Sequence, residues 1–352
     1  MKHTLQVRQA AEKYTAQGWV VIPVEQHGKK PIPSKWQNRT VEDINLERDF
    51  PQDTPRNVGV VLGSPSGGLV DIDLDCIEAV RAAPVLLPNT DMVFGRERAR
   101  RSHYVYRVFD CGTRAAFSGL HNDGTLIEYR GNGAQTVFPP SIHTTGQSIR
   151  FDTEGEPTPI SHDDLISSVQ RVAAAALLAK HWAKGCRHDA AMALSGTLLS
   201  RGWTQTDAEK FIEAVCVGAA DNDKNDRVGT VFATKKSLAA EQPVTGFTRL
   251  QEYIGCEVAS KIADWLDLDI HHQGIGHNST GRHDDALRLT DIGNAEQFIE
   301  RHGDQLLYCY ELGKWLSWNG DYWCIGDKAS VERKAEQTIR SFENELDSVH
   351  DS

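Results

Sequence analysis

Residues 67–75 read Gly67-Gly68-Leu69-Val70-Asp71-Ile72-Asp73-Leu74-Asp75. Apolar and acidic residues alternate with a period of two, the period at which successive side chains leave an extended strand on opposite faces. Val70, Ile72 and Leu74 mark a core-facing side, which sets Asp71, Asp73 and Asp75 together on the other. Like charges stacked on one short strand repel unless a cation compensates them. Hard divalent ions such as Mg²⁺ or Mn²⁺ are held by one or two carboxylates together with substrate phosphates, so the pattern points to a metal site. The alternative is an exposed edge strand with a solvated acidic face, a costly use of adjacent carboxylates.

Two other stretches carry chemistry. Residues 94–106 place Arg96, Arg98, Arg100 and Arg101 against the single acid Glu97, in what reads as a basic loop that runs into an aromatic strand at His103. Arginine presents a planar fork to phosphate oxygens, and a histidine at a strand start can contact a phosphate; a solvated basic loop is the plainer reading. Residues 126–143 give a strand that carries Glu128, a turn with Gly131 and Gly133, a second strand, and then Pro139-Pro140-Ser141-Ile142-His143. Those glycines let backbone N–H groups approach an anion, although a hairpin alone would also explain them.

Working outward, the first 160 or so residues alternate helices with short apolar strands and predict an α+β domain. Strands are expected at Val58–Leu62, Leu69–Leu74, Tyr104–Phe109, Thr125–Tyr129 and Gln135–Phe138, after a helix over Thr4–Gln17 that stops at Gly18. From Asp163 the texture turns helical, with hardly a strand signal before Leu268. The Gly- and His-bearing stretch 271–282 reads as a linker. Beyond it lie a helix over Asn294–Arg301, an aromatic hairpin with Asn319-Gly320 at its turn, and a charged helix over Ser330–Leu346. The expected division is therefore 1–162, 163–269, 270–286 as linker, and 287–352 as a small α+β piece.

At 352 residues the chain has room for two or three domains. No apolar run approaches a membrane span, and the start has no apolar segment of the secretory type, which predicts a cytoplasmic protein. Seven scattered cysteines without a CxxC pair argue against a disulfide framework and a ribbon-type zinc site. A net charge of −11 excludes a uniformly basic coat but not a local basic cleft.

Taken in order, the acid strand, the histidine at a strand start and the later acid resemble the three motifs of the bifunctional primase-polymerase (Prim-Pol) domain of the archaeo-eukaryotic primase superfamily, found in phage, plasmid and prophage replication proteins. Gly18-Trp19, Pro23, Lys30-Pro31, Trp36, Asn57-Val58-Gly59, Gly63 and Pro139-Pro140-Ser141 match its flanking pattern. The resemblance implies a primase-like catalytic domain over 1–162. It also implies synthesis and extension of primers on single-stranded DNA from nucleoside triphosphates, with two Mg²⁺ or Mn²⁺ ions. Asp73 belongs to the metal-binding acid pair in either of two open registers, with Asp71 or with Asp75; Glu128 matches the third motif and His103 the second. Arg96, Arg101, His103, Arg130, Ser141 and His143 are the nucleotide- or template-binding candidates, with Lys29 and Lys30 as helpers.

Residues 163–269 are similar to the helical segments that follow such domains, and 287–352 to the opening of the module before a superfamily 3 helicase. No GxxxxGK[ST] phosphate loop occurs, so a helicase is expected in a longer parent chain or as a separate partner in the host bacterial cytoplasm.

Overall fold

In the protein, here a computed structural model, helix α1 (Lys2–Ala16) buries Val7, Ala11 and Tyr14 along one face and stops at Gly18, whose φ of +80° suits glycine. The structure describes residues 2–268 and, beyond them, 298, 301–302, 305–309, 314–318, 323–325, 331 and 333–338. It divides into Met1–His271 and His272–Ser352.

The apolar run after Gly18 becomes β1 (Val21–Val24), buried throughout. A short helix α2 (Leu46–Asp49), capped by Asn45, leads to β2 (Asn57–Val61). The acid strand is β3 (Leu69–Leu74), followed by α3 (Ile77–Leu86), β4 (Val93–Arg96), β5 (Ala99–Val108), β6 (Ala115–Ser118), β7 (Thr125–Arg130), β8 (Gln135–Phe138), β9 (Ile149–Thr153) and β10 (Thr158–Ile160). Strands β1, β2 and β8 form a small antiparallel sheet. The larger sheet runs β6-β7-β3-β5-β4-β9, with β10 added in parallel along β5.

One expectation fails here. Residues 96–101 are not a basic loop: β4 and β5 form a hairpin closed by Glu97 and Arg98, and β5 begins at Ala99 rather than Tyr104. Gly95 makes the tight approach possible, because a Cβ there would lie 2.0 Å from the Ala99 carbonyl oxygen. The buried Phe94 stacks on His103 with ring centroids 4.6 Å apart, so packing beneath the hairpin overrides its charged surface.

The larger sheet is covered on both faces. Val70, Ile72 and Leu74 share one core with α3 and with the helices that follow β10, namely α4 (His162–Lys180), α5 (Arg187–Ser200), α6 (Gln205–Gly218), α7 (Lys224–Ala239), α8 (Phe247–Ile254) and α9 (Cys256–Trp265). Helix α4 is buried without interruption from Val172 to Ala179, which its small alanines permit, and Ser161 caps its start. Leu69, Phe94 and Val105 on the opposite face pack against α1 and the small sheet. Each aliphatic side chain so buried contributes about 1.5–3 kcal/mol. The fold is thus α+β, with a strand-rich first part and a helix-rich second one.

In His272–Ser352, β11 (Leu306–Cys309), β12 (Lys314–Trp318) and β13 (Trp323–Ile325) pair antiparallel. Residues 298, 301–302, 331 and 333–338 are helical. The expected linker at 270–286, the Asn319-Gly320 turn and the remainder of the two expected helices lie outside the described residues. Among the described residues, no helix is long and apolar enough to cross a membrane.

Candidate active site

Antiparallel pairing sets β3 between β5 and β7. In that register Asp73 lies opposite His103 on one side and opposite Glu128 on the other. One row across three neighbouring strands therefore joins residues separated by up to 55 positions in sequence. Asp75, just past the end of β3, completes the group, and carboxylate oxygens of Asp73, Asp75 and Glu128 all lie within 4.8 Å of one another.

The acidic face of β3 changes along its length. Leu69 belongs to the core, Asp71 and Asp73 are buried, and Asp75 is exposed at the mouth of a cleft. Asp71 is fully partnered: His103 Nδ1 is 3.0 Å from its Oδ2, and Thr136 on the small sheet donates to the same oxygen at 2.7 Å. Burial works against ionisation of Asp71, but the charge and hydrogen bond of His103 outweigh it and hold the carboxyl below the usual range. Burial would lower His103 as well; Asp73 and Asp71 raise it instead, which favours an imidazolium. Asp75 is pushed up to about 6, first by withdrawal from solvent and then by the charge of Asp73.

Arg130, at the end of β7, reaches back into the acids. Its Nη2 is 2.5 Å from Asp73 Oδ2 and 2.7 Å from Glu128 Oε2, and its Nε donates to Glu128 Oε2 at 2.7 Å. Arg114, just before β6, bonds the other Glu128 oxygen. Burial opposes ionisation of Glu128, but these two arginines hold it below the usual carboxylate range.

The cleft has a volume of about 240 Å³, with Asp73, Asp75, His103 and Arg130 in its wall and Lys29, Arg96, Arg98 and His143 around them. Arg96 Nη1 is 3.2 Å from His143 Nδ1, and burial followed by the charge of Arg96 lowers the His143 pKa. A second groove of about 470 Å³ shares Gly95 and Arg96 with the cleft and adds Arg100 and Arg150.

Two expected binding residues lie elsewhere. Ser141 is buried, and its hydroxyl accepts from the Val58 N–H at 2.9 Å, fastening the Pro-Pro segment to β2. Arg101 turns to Asp152 at 2.8 Å and to the Tyr104 hydroxyl, away from the cleft. Arg130 is within the acid cluster rather than free for phosphate. Thr136 and Arg114 were not anticipated. Thr136 shares a strand face with the buried Phe138, and a polar residue on that face was a usable signal; Arg114 gave none, because its contact crosses between β-strands.

Residues 11–162 match the family model described as bifunctional DNA primase/polymerase, N-terminal, a span that contains every residue of the row and the cleft. No curated protein matches the chain.

Proposed function

We propose how residues 11–162, a DNA primase/polymerase domain of the Prim-Pol family acting on DNA, carry out their reaction. The domain is the catalytic part of a template-dependent nucleotidyltransferase that makes and extends primers on single-stranded DNA. The observation that carries this reading is the His103–Asp73–Glu128 row with Asp75 beside it.

The acids fit hard divalent ions. Their donors are oxygens alone, gathered within 4.8 Å, and Asp75 stands in the cleft wall with no ion pair among the described residues. Asp73, Asp75 and Glu128 would hold Mg²⁺ or Mn²⁺, two ions in the scheme the family implies, and Asp71 supports them from behind. When bound, such ions supply neutralisation of the triphosphate and activation of the attacking hydroxyl.

The remaining work belongs to side chains of the cleft. Asp71, itself held by Thr136, fixes the His103 ring through Nδ1, which leaves Nε2 as its donor toward a phosphate oxygen. As an imidazolium, His103 attracts the triphosphate, and Lys29, Arg96 and Arg98 add positive charge around it. The uncharged His143 lies against Arg96 and positions its guanidinium. Arg100 and Arg150 in the adjoining groove take template phosphates, an attraction independent of base sequence.

Residues 163–269 form the helical support of this domain, 270–286 link onward, and 287–352 open a helicase-associated module. Replication of a mobile element, with a helicase in cis or in trans, is the setting this reading implies. The test is incorporation of labelled nucleotide on primer-free single-stranded DNA with Mg²⁺ or Mn²⁺, against an EDTA control. Product that requires metal, template and Asp73 is expected. Absence of product with and without an annealed primer, while template still binds, would leave a DNA-binding accessory protein and overturn the proposal.

A further inference from the structure

Glu128 has no idle oxygen. Oε2 accepts from Arg130 Nε and pairs with its Nη2 at 2.7 Å, and Oε1 accepts from Arg114. The two arginines are held very differently. Arg130 is 17% exposed, lies on β7, and touches Asp73 and Thr136 as well as Glu128. The Arg114 side chain is 60% exposed, precedes β6, and bonds only Glu128 among the described residues. Taking Arg130 away would cost the buried carboxylates of Asp73 and Glu128 their buried partner, whereas an ion pair as exposed as that of Arg114 opens easily.

The charges point the same way. The carboxylates of Asp73, Asp75 and Glu128 face the guanidiniums of Arg114 and Arg130, which leaves one net negative charge. A divalent ion entering with both arginines in place would make the cluster positive. Departure of one arginine restores neutrality, and the exposed one can depart.

We infer that Arg114 is a displaceable counter-ion of this acid cluster: it holds Glu128 Oε1 until a divalent cation arrives and then swings out to solvent, while Arg130 stays as the permanent brace. The inference rests on the metal-binding reading of the acids and adds a competition between a side chain of the chain itself and the metal. Arg114 is thus a residue that sets metal affinity, and it forms no part of the reacting group. Loss of its charge tightens metal binding, and Lys in its place retains most of the competition.

The test measures Mn²⁺ alone, by calorimetry and by the free-ion signal in electron paramagnetic resonance, on the full chain without nucleotide or DNA. Wild type, Arg114→Gln, Arg114→Lys and Asp73→Asn are compared. Arg114→Gln is expected to lower the Mn²⁺ Kd by about five-fold, the size of an exposed ion pair, with Arg114→Lys nearer to wild type. Its unfolding temperature in EDTA should match wild type, because the side chain is exposed. An unchanged or weakened Kd in Arg114→Gln, with wild type binding Mn²⁺ and Asp73→Asn not, overturns the displacement alone. If wild type binds no Mn²⁺, or if Asp73→Asn binds as well as wild type, the metal reading of the acids fails and the inference falls with it.

Discussion

Two buried acidic centres in Met1–His271 invite comparison. In the helical part, Asp221 accepts from Trp182 Nε1 at 3.2 Å, from the Asp223 N–H at 3.2 Å and from Arg227 at 3.3 Å, with Arg187 3.4 Å away. Arg227 turns its remaining nitrogens to Asp223 and Asp226, so every group has a partner and the centre is closed. At the end of β3, Asp71, Asp73 and Glu128 take up His103, Arg130 and an exposed Arg114, while Asp75 makes no ion pair among the described residues. Both centres set guanidiniums against buried acids, yet only at the end of β3 does an acid without an ion pair among the described residues stand in the wall of a cleft. Burial and ion pairing alone do not mark a functional site; an acid left unpaired in an open cleft does.

The strongest way to break this contrast is at Asp73. Asp73→Asn should reduce metal-dependent nucleotide incorporation by roughly three orders of magnitude, while the unfolding temperature in EDTA stays close to wild type because one repelling charge is gone. Full activity in that variant would mean that the acid-rich centre is structural as well. At the closed centre the opposite outcome is expected. Asp221→Asn should destabilise the protein by about 3 kcal/mol, roughly 10 °C in Tm by calorimetry, because Arg187 is left largely buried without its acid and Arg227 keeps only the exposed Asp223 and Asp226, and incorporation per folded molecule should hold. Thr136→Val sharpens the comparison by removing a hydroxyl that donates to Asp71 at 2.7 Å. A loss of about 1–2 kcal/mol by denaturant titration is expected, with weaker incorporation as His103 loses its fixed neighbour.

The smallest effect concerns a second closed centre. Asp49 is buried against Arg39 at 2.5 Å and bonded by Arg48 at 2.9 Å; burial would raise its pKa, but the hydrogen bonds of Arg48 and Arg39 lower it. A depressed carboxyl contributes stability that is complete above its unfolded pKa of about 3.9 and lost as pH falls through the lower folded value. Thermal melts from pH 5 downward should therefore fall less steeply in Asp49→Asn than in wild type. Equal slopes would remove Asp49 from the comparison.

How much of this was legible depended on the range of the interaction. The alternation in β3 is a local pattern, and it correctly assigned one face to the core and the other to the acids. The helical texture after Asp163 was equally local. The hairpin of β4 and β5 was missed because Arg96, Glu97, Arg98, Arg100 and Arg101 look solvated in sequence, while the forces that make it a strand pair come from Phe94, His103 and the close backbone contact at Gly95. Ser141 resembled a phosphate donor, but which way a hydroxyl turns is decided by the unpaired backbone of β2 beside it. Arg130 was visible only as a cation; its attachment to Asp73 depends on the register between strands, which no single segment encodes.

The place where the family match stops has a consequence of its own. It ends at residue 162, where α4 begins, and α4 lies against α3 and the sheet strands in one continuous core. What is inherited as a module and what folds as one are then different lengths of chain. A gene fragment cut at the module's edge would carry every acid of the cluster yet leave the core of Val70, Ile72, Tyr104 and Tyr106 with α3 alone, stripped of α4 and the helices beyond it. Shuffling of this domain between proteins would require each new host to bring its own helical back, and the sequence beyond residue 162 would be free to diverge only as far as that covering role allows.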